Sequence, residues 1–214
     1  MIPSGVFFDM DGTLIDSEPI WFASEQELMA KFGYNWTEED QKASIGGPLM
    51  RVGKMMAERS NSTNPPEYFA EELISLASKN FQTQLRFMPG ALELLAQISE
   101  MGIPTALVTA SPKGLASAAE SALPKKYFNL VVSADDVKNT KPDPECYIKA
   151  ARDLGVDISN CLVLEDTNTG VSSAVASGAY VVAVPHLVTV IPQPRVVVID
   201  TLQDLTVEQL FSLH

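Results

Sequence analysis

Val6-Phe7-Phe8-Asp9-Met10-Asp11-Gly12-Thr13-Leu14 decides how the rest of the chain is read. A short apolar run leads straight into two carboxylates two residues apart, and a glycine then turns the backbone. With Asp9 still in strand geometry, side-chain alternation directs Asp9 and Asp11 to the same side. Like charges this close resist joint ionisation unless a cation or a shared proton relieves them. A metal-assisted phosphoryl-transfer site needs such a pair. A turn or capping Asp beside an unrelated one explains it without function, and residues further along decide.

Outward from this stretch, four more apolar runs read as buried strands: Pro104–Thr109, Leu130–Val132, Cys161–Leu164 and Tyr180–Val184. None shows period-two alternation, as expected of strands covered on both faces. Helical patterns lie between them. Pro89 to Met101 stops at Gly102, and Pro112 to Leu123 ends before Pro124. Pro144 to Leu154 sets Tyr147, Ile148, Ala151 and Leu154 on one side and stops at Gly155. Val196–Ile199 adds an edge strand and Thr206–Leu213 a closing helix. Strands alternating with helices predict an α/β fold with a Rossmann-like parallel sheet.

The segment after the first strand breaks this rhythm. From Asp16 to about Arg86 nothing resembles a buried strand. Glu18–Phe32 is helical, and Thr37 opens a second helix with Asp40 in the capping-box position. Leu49–Arg59 follows Gly46-Gly47-Pro48, and Glu67–Phe81 follows the loop Asn61–Pro66. Asp16 and Ser17 are expected to shape a hinge, with Ser17 capping the first of these helices. The expected domains are an α/β core, 1–15 and 87–214, and an inserted four-helix cap, 16–86.

Composition bounds the function. The 214 residues are 46% hydrophobic and 20% charged, which describes an ordinary globular protein. No apolar run approaches the ~20 residues of a membrane span. The first residues enter a strand without a basic region or cleavage pattern, so a cytoplasmic location is expected. Cys146 and Cys161 lack metal spacing and read as buried free thiols in a reducing compartment. A net charge of −12 argues against nucleic-acid or anionic-membrane partners. It also poses a problem for an anionic substrate, whose field a bound divalent cation and one or two well-placed lysines would have to offset; a cap that opens and closes over its site is compatible with a monomer.

Ligands of open parallel sheets bind beyond the carboxyl ends of the strands. At those ends this chain places Asp9 and Asp11, then Thr109-Ala110-Ser111, then a loop with Lys141-Pro142-Asp143-Pro144, then Glu165-Asp166. In this order, with Gly12-Thr13-Leu14 and Asp16-Ser17 after the first pair and Gly170 after the last, they resemble the four motifs of the haloacid dehalogenase superfamily. The resemblance covers the whole chain and is nearest the phosphatase and β-phosphoglucomutase-like branch of subfamily I, which carries a helical C1 cap after the first motif. Thr167 stands where relatives commonly have Ser.

The resemblance implies a Mg²⁺-dependent phosphatase acting on a small phosphomonoester, a sugar phosphate or similar metabolite. Asp9 would be the nucleophile that forms an aspartyl phosphate. Asp11 would serve as general acid and then base. Asp9, Asp166 and the Asp11 carbonyl would bind Mg²⁺, with Glu165 acting directly or through water. Lys141 would neutralise Asp9 and the transferring group, and Thr109 with the following amide would hold phosphoryl oxygens. Ala110, Ser111 and Lys113 on the core side, and Gly46, Gly47, Arg51 and Trp21 on the cap, are substrate candidates. A hexose phosphate mutase is the alternative, but that branch resembles D-x-D-G-V followed by a His where this chain has Trp21. A non-enzymatic Mg²⁺-binding phosphoacceptor module is the alternative of another class; an intact Asp11 favours the enzyme.

Overall fold

The structure is a computed structural model that describes residues 2–45 and 49–213, with the side chains of 82–84 left out. Its centre is a six-stranded parallel sheet: β1 (Gly5–Phe8), β2 (Thr105–Val108), β3 (Leu130–Val132), β4 (Cys161–Glu165), β5 (Tyr180–Ala183) and β6 (Val196–Val198). The spatial order is β3-β2-β1-β4-β5-β6. The chain therefore leaves β1 toward one edge, then crosses back after β3 to build the other. β1 lies at this switch point, where open parallel sheets form their ligand crevice. In the register, Phe8 faces Leu107 of β2 and Leu164 of β4. The next residues of all three strands thus emerge together at the carboxyl edge.

Two compact units divide the chain: Met1–Asp16 with Arg86–His214, and Ser17–Leu85. In the second, α1 (Glu18–Ala30), α2 (Glu38–Ser44), α3 (Leu49–Ser60) and α4 (Pro66–Gln84) surround a core of Leu28, Met29, Trp36, Met56, Phe69 and Leu73. Thr37 and Asp40 form the expected capping box at α2. Ser17 does not cap α1: its backbone is in the helical region, φ −87° and ψ −16°, and its side chain makes no cap bond. An N-cap needs extended backbone to aim its oxygen at the N2 or N3 amide.

A buried acid sits inside this helical unit. Glu25 is only 4% exposed. Trp36 Nε1 donates to its Oε2 at 2.8 Å, and Ser44 Oγ to its Oε1 at 3.2 Å. Burial outweighs these bonds and pushes its carboxyl from 4.5 up to about 7. Asp40, also buried by its own surface, is instead held below the usual range. Its desolvation is overcome by the Thr37 amide and hydroxyl and by Arg59, which ion-pairs with it at 2.9 Å.

In the α/β unit, α5 (Ala91–Glu100), α6 (Lys113–Ser121), α7 (Glu145–Leu154), α8 (Asn168–Ser177) and α9 (Val207–Ser212) flank the sheet. Phe7 joins Ala106, Val163, Tyr147, Ala150 and Ala174 in one core. Phe8 alternates to the other face and meets Phe128 edge-on, ring centroids 6.0 Å apart. α7 buries Cys146, Tyr147, Ala150 and Ala151, whereas Ile148 is exposed. Of the expected face, Tyr147 and Ala151 are buried and Leu154 packs partly buried against the same core; Ile148 turns outward, and Cys146 and Ala150 join the sheet side instead. Before the helical unit, Ile15 bridges Phe87 in antiparallel fashion, and the Asp16 amide donates to the Arg86 carbonyl at 2.9 Å. Among the described residues no helix is long and apolar enough to cross a membrane.

Candidate active site

The carboxyl edge at β1 carries a lysine wired to two acids. Lys141 Nζ donates to Asp9 Oδ1 at 2.5 Å, to Glu165 Oε1 at 2.7 Å and to the Val108 carbonyl at 2.9 Å. Its three protons are thereby all committed. β1, β2 and β4 supply the acceptors, and the loop before α7 supplies the lysine. Burial alone would push the ammonium down, but Asp9 and Glu165 together raise Lys141 well above the usual lysine value, so it stays charged.

Glu165 is an anchor for this lysine. Its Oε1 also accepts from the Tyr147 hydroxyl at 2.8 Å. Its Oε2 accepts from the Asp166 amide at 3.1 Å and from the Thr167 amide and hydroxyl at 3.4 Å each. The carboxylate packs so closely on α8 that a Cβ at Gly170 would lie about 2 Å from all three of its atoms, between 1.8 and 2.1 Å. Thr167 does the work of the commoner Ser: as N-cap of α8, its oxygen accepts from the Gly170 amide at 3.1 Å.

Asp9, Glu165 and Asp166 each offer a carboxylate oxygen within 4.8 Å of the others. Asp166 Oδ1 is buried with no hydrogen-bond partner among the described residues. Burial, and then the Glu165 carboxylate, push Asp9 up from 3.8 to about 8, with Lys141 offsetting part of the rise. Burial followed by Asp9 and Glu165 raises Asp166 as well. Three carboxylates against one ammonium leave excess negative charge in a dry place, and an orphaned oxygen in an all-oxygen donor set fits a hard divalent cation. Since Glu165 is occupied by five donors, Asp9 and Asp166 are the side chains best able to ligate one. Gly12 makes this approach possible: its φ is +83°, and a Cβ there would lie 2.2 Å from Asp166 Oδ2.

Asp11 projects toward β2. Its Oδ2 accepts from Ser111 Oγ at 2.7 Å and from Thr109 Oγ1 at 3.4 Å. Thr109 is buried and its Oγ1 accepts the Ser111 amide at 2.9 Å, which shapes the strand end. Ala110 is exposed. Lys113 is also exposed and begins α6, its amide held by Asp135 Oδ2 at 2.8 Å.

The structure thus brings Asp9, Asp11, Thr109, Ser111, Lys141, Glu165 and Asp166 together. The helical-unit candidates are placed otherwise. Arg51 Nη2 donates to the carbonyls of Ala43, Ser44 and Ile45 at 3.0 to 3.4 Å, closing the C-terminal end of α2. Trp21 packs edge-on against Phe81, ring centroids 6.4 Å apart. Gly46 and Gly47 lie outside the described residues. Gly170, read as the end of the fourth motif, lies against the Glu165 carboxylate; Tyr147 is the member that sequence reading missed. The available signal for Tyr147 was a hydroxyl on a helix face whose other members, Ile148, Ala151 and Leu154, are apolar, since a buried Tyr usually finds a partner for its O–H.

Known proteins resemble this chain over most of its length. The profile of the family described as haloacid dehalogenase-like hydrolase matches residues 6–184. The phosphorylated carbohydrates phosphatase of Thermotoga maritima is 32% identical over 174 residues, covering 81% of each chain. Hexitol phosphatase A of Escherichia coli is 32% identical over 182 residues, 84% of this chain and 82% of that one. The crystal structure of a HAD hydrolase, family IA, variant 3, from Entamoeba histolytica superposes with a TM-score of 0.84 at 25% identity, covering 98% of both chains. The profile runs from the first strand through β5: the chain belongs to the haloacid dehalogenase-like hydrolases.

Proposed function

We propose that this protein is a Mg²⁺-dependent phosphatase that hydrolyses a small phosphomonoester, a sugar phosphate or related metabolite, through a phosphorylated Asp9. The observation that carries this reading is the Lys141 ammonium bonded to Asp9 Oδ1 beside the unpartnered Asp166 oxygen. A carboxylate nucleophile approaching a phosphate dianion is repelled, so positive charge on both partners is required. Bound between Asp9 and Asp166, Mg²⁺ would supply Lewis-acid neutralisation of the phosphoryl oxygens. Lys141 lowers the charge on Asp9 while leaving its other oxygen to attack in line. Asp11, oriented by Ser111, gives a proton to the leaving alkoxide and then takes one from the water that cleaves the acyl phosphate. Thr109, whose side chain already orders the strand end, is suited to hold a phosphoryl oxygen.

Relatives that act on phosphorylated carbohydrates and on hexitol phosphates support the substrate class. The two cysteines are free and buried, with burial pushing Cys161 up to about 12. Unreactive thiols of this kind suit a reducing, cytoplasmic setting.

The test is phosphate release from a panel of sugar, polyol and nucleoside monophosphates with Mg²⁺. Turnover of at least one member that ceases with chelator supports the reading. Absence of turnover across the panel together with a long-lived phosphorylated Asp9 would favour a phosphoacceptor module instead. Transfer to a second sugar position is disfavoured by Trp21, which can neither accept a proton nor pair with phosphate. Incubation with hexose 1-phosphate, Mg²⁺ and a trace of bisphosphate, followed by ³¹P NMR, should give free phosphate and no hexose 6-phosphate.

A further inference from the structure

Lys141 serves two carboxylates, and only one of them is the nucleophile. Its ammonium lies 2.5 Å from Asp9 Oδ1 and 2.7 Å from Glu165 Oε1, both out of water. Attraction between full charges is strong in such surroundings, so any gain in negative charge on Glu165 draws the ammonium from Asp9. The oxygen that contacts Lys141 is also the one that accepts the Tyr147 hydroxyl, at 2.8 Å. The other oxygen is fastened to the 166–167 turn. The ring of Tyr147 lies under the same ammonium, its centroid 5.0 Å from Nζ. One side chain therefore touches both ends of the Lys141–Glu165 pair, and it is fully buried.

We propose that Tyr147 is a positioning residue for phosphoryl transfer, whose hydroxyl satisfies part of Glu165 Oε1 so that Lys141 stays placed on Asp9. The proposal rests on the function assigned above, in which Lys141 neutralises Asp9 and the transferring group. Tyr147 does not touch substrate; it acts through Glu165. Without the hydroxyl, Oε1 keeps Lys141 as its remaining side-chain donor, and the ammonium shifts toward Glu165. The nucleophile then carries more uncompensated charge when it meets the phosphate dianion.

Tyr147→Phe keeps the ring, its packing and its contact with the ammonium, and removes only the O–H. Hydrogen bonds to charged groups are worth enough that kcat should fall between about tenfold and a hundredfold. KM for the same substrate should change less than about twofold, because the group that binds substrate is not altered. Combined with Glu165→Gln, the two losses should be strongly non-additive, the double variant being no slower than Glu165→Gln alone within about twofold. A purely structural role for the hydroxyl gives the opposite pattern: a lowered thermal midpoint with wild-type kcat, or additive losses in the cycle. Either result overturns the proposal, as does failure of Tyr147→Phe to fold. Wild-type turnover in the same assay separates the two levels. An active wild type with an equally active Phe variant removes this inference alone, whereas an inactive wild type removes the phosphatase reading beneath it and the inference with it.

Discussion

Replacing Glu25 by Gln should stabilise the helical unit at alkaline pH and leave it nearly unchanged at acid pH. Burial raises the Glu25 carboxyl from 4.5 to about 7 in the folded chain. Below pH 4.5 the group is protonated whether the chain is folded or not, and it costs nothing. As pH rises from there toward 7, the unfolded chain releases the proton while the folded chain retains it, so folding loses stability progressively. Above 7 the loss is constant. At about 1.36 kcal/mol per tenfold change in proton affinity, it amounts to roughly 3 kcal/mol. Gln keeps an acceptor for Trp36 Nε1 and offers an amide to Ser44 Oγ, so the two bonds to the acid are replaced rather than lost. The assay is built into the chain: Trp21 and Trp36 are its two tryptophans, and both lie in Ser17–Leu85. Urea unfolding followed by tryptophan fluorescence therefore reports this unit. The variant minus wild-type difference should grow by about 2–3 kcal/mol between pH 4.5 and pH 8. Other titrating groups cancel in the difference, and equal differences at both pH values would refute the assignment of Glu25 as a destabilising buried acid.

Asp9→Asn should abolish covalent phosphorylation. Asp11→Asn should slow turnover by about 10²–10⁴-fold and let the phosphorylated enzyme accumulate from a substrate with a good leaving group; wild-type turnover by Asp9→Asn contradicts both roles. Because the proton on Asp9 is held up to about pH 8, it competes with Mg²⁺. Calorimetric Mg²⁺ affinity should weaken as pH falls from 8 to 6, by up to ~tenfold per unit per displaced proton, and a flat profile argues against Asp9 as ligand. Gly170→Ala drives a methyl into the Glu165 carboxylate, 1.8 Å from Oε1 at closest. It should lower kcat without moving the fluorescence-monitored transition of the helical unit. Arg51→Ala frees the α2 carbonyls and should shift that transition by a few tenths to about 1 kcal/mol; a large rise in KM with unchanged stability would instead make Arg51 a substrate anchor.

The sheet was readable because strands covered on both faces are unbroken apolar runs, and β3 falls on Leu130–Val132 as read. The acids were readable for a related reason. A carboxylate closing an apolar run has little structural use, so Asp9 and Glu165-Asp166 stand out against their own strands. What escaped was pairing set by packing. Nothing near Glu165 in sequence announces Tyr147, which reaches it only because α7 packs across β3, β2 and β1. Glu25 reads as one polar residue in a helix, and its partner Trp36 arrives through a chain reversal at Gly33, where φ is +70°. Ile148 shares the helical spacing of Tyr147, Ala151 and Leu154 yet lies exposed, while Cys146 and Ala150 join the core.

The neck at Ile15–Asp16 and Arg86–Phe87 has a consequence for how such a protein changes over time. The chain departs and returns through segments fastened to each other, so everything from Ser17 to Leu85 is a loop already closed at its base. Closure entropy grows only with the logarithm of loop length, about 0.6 kcal/mol per doubling. An insert of different length or fold can therefore replace this one at small thermodynamic cost to the sheet. It brings its own interior, as the cluster around Trp36 and Phe69 does here, and leaves the register of β1 with β2 and β4 untouched. The helical segment is in this sense an exchangeable cartridge, replaceable by recombination at the neck while the strand-end acids keep their places.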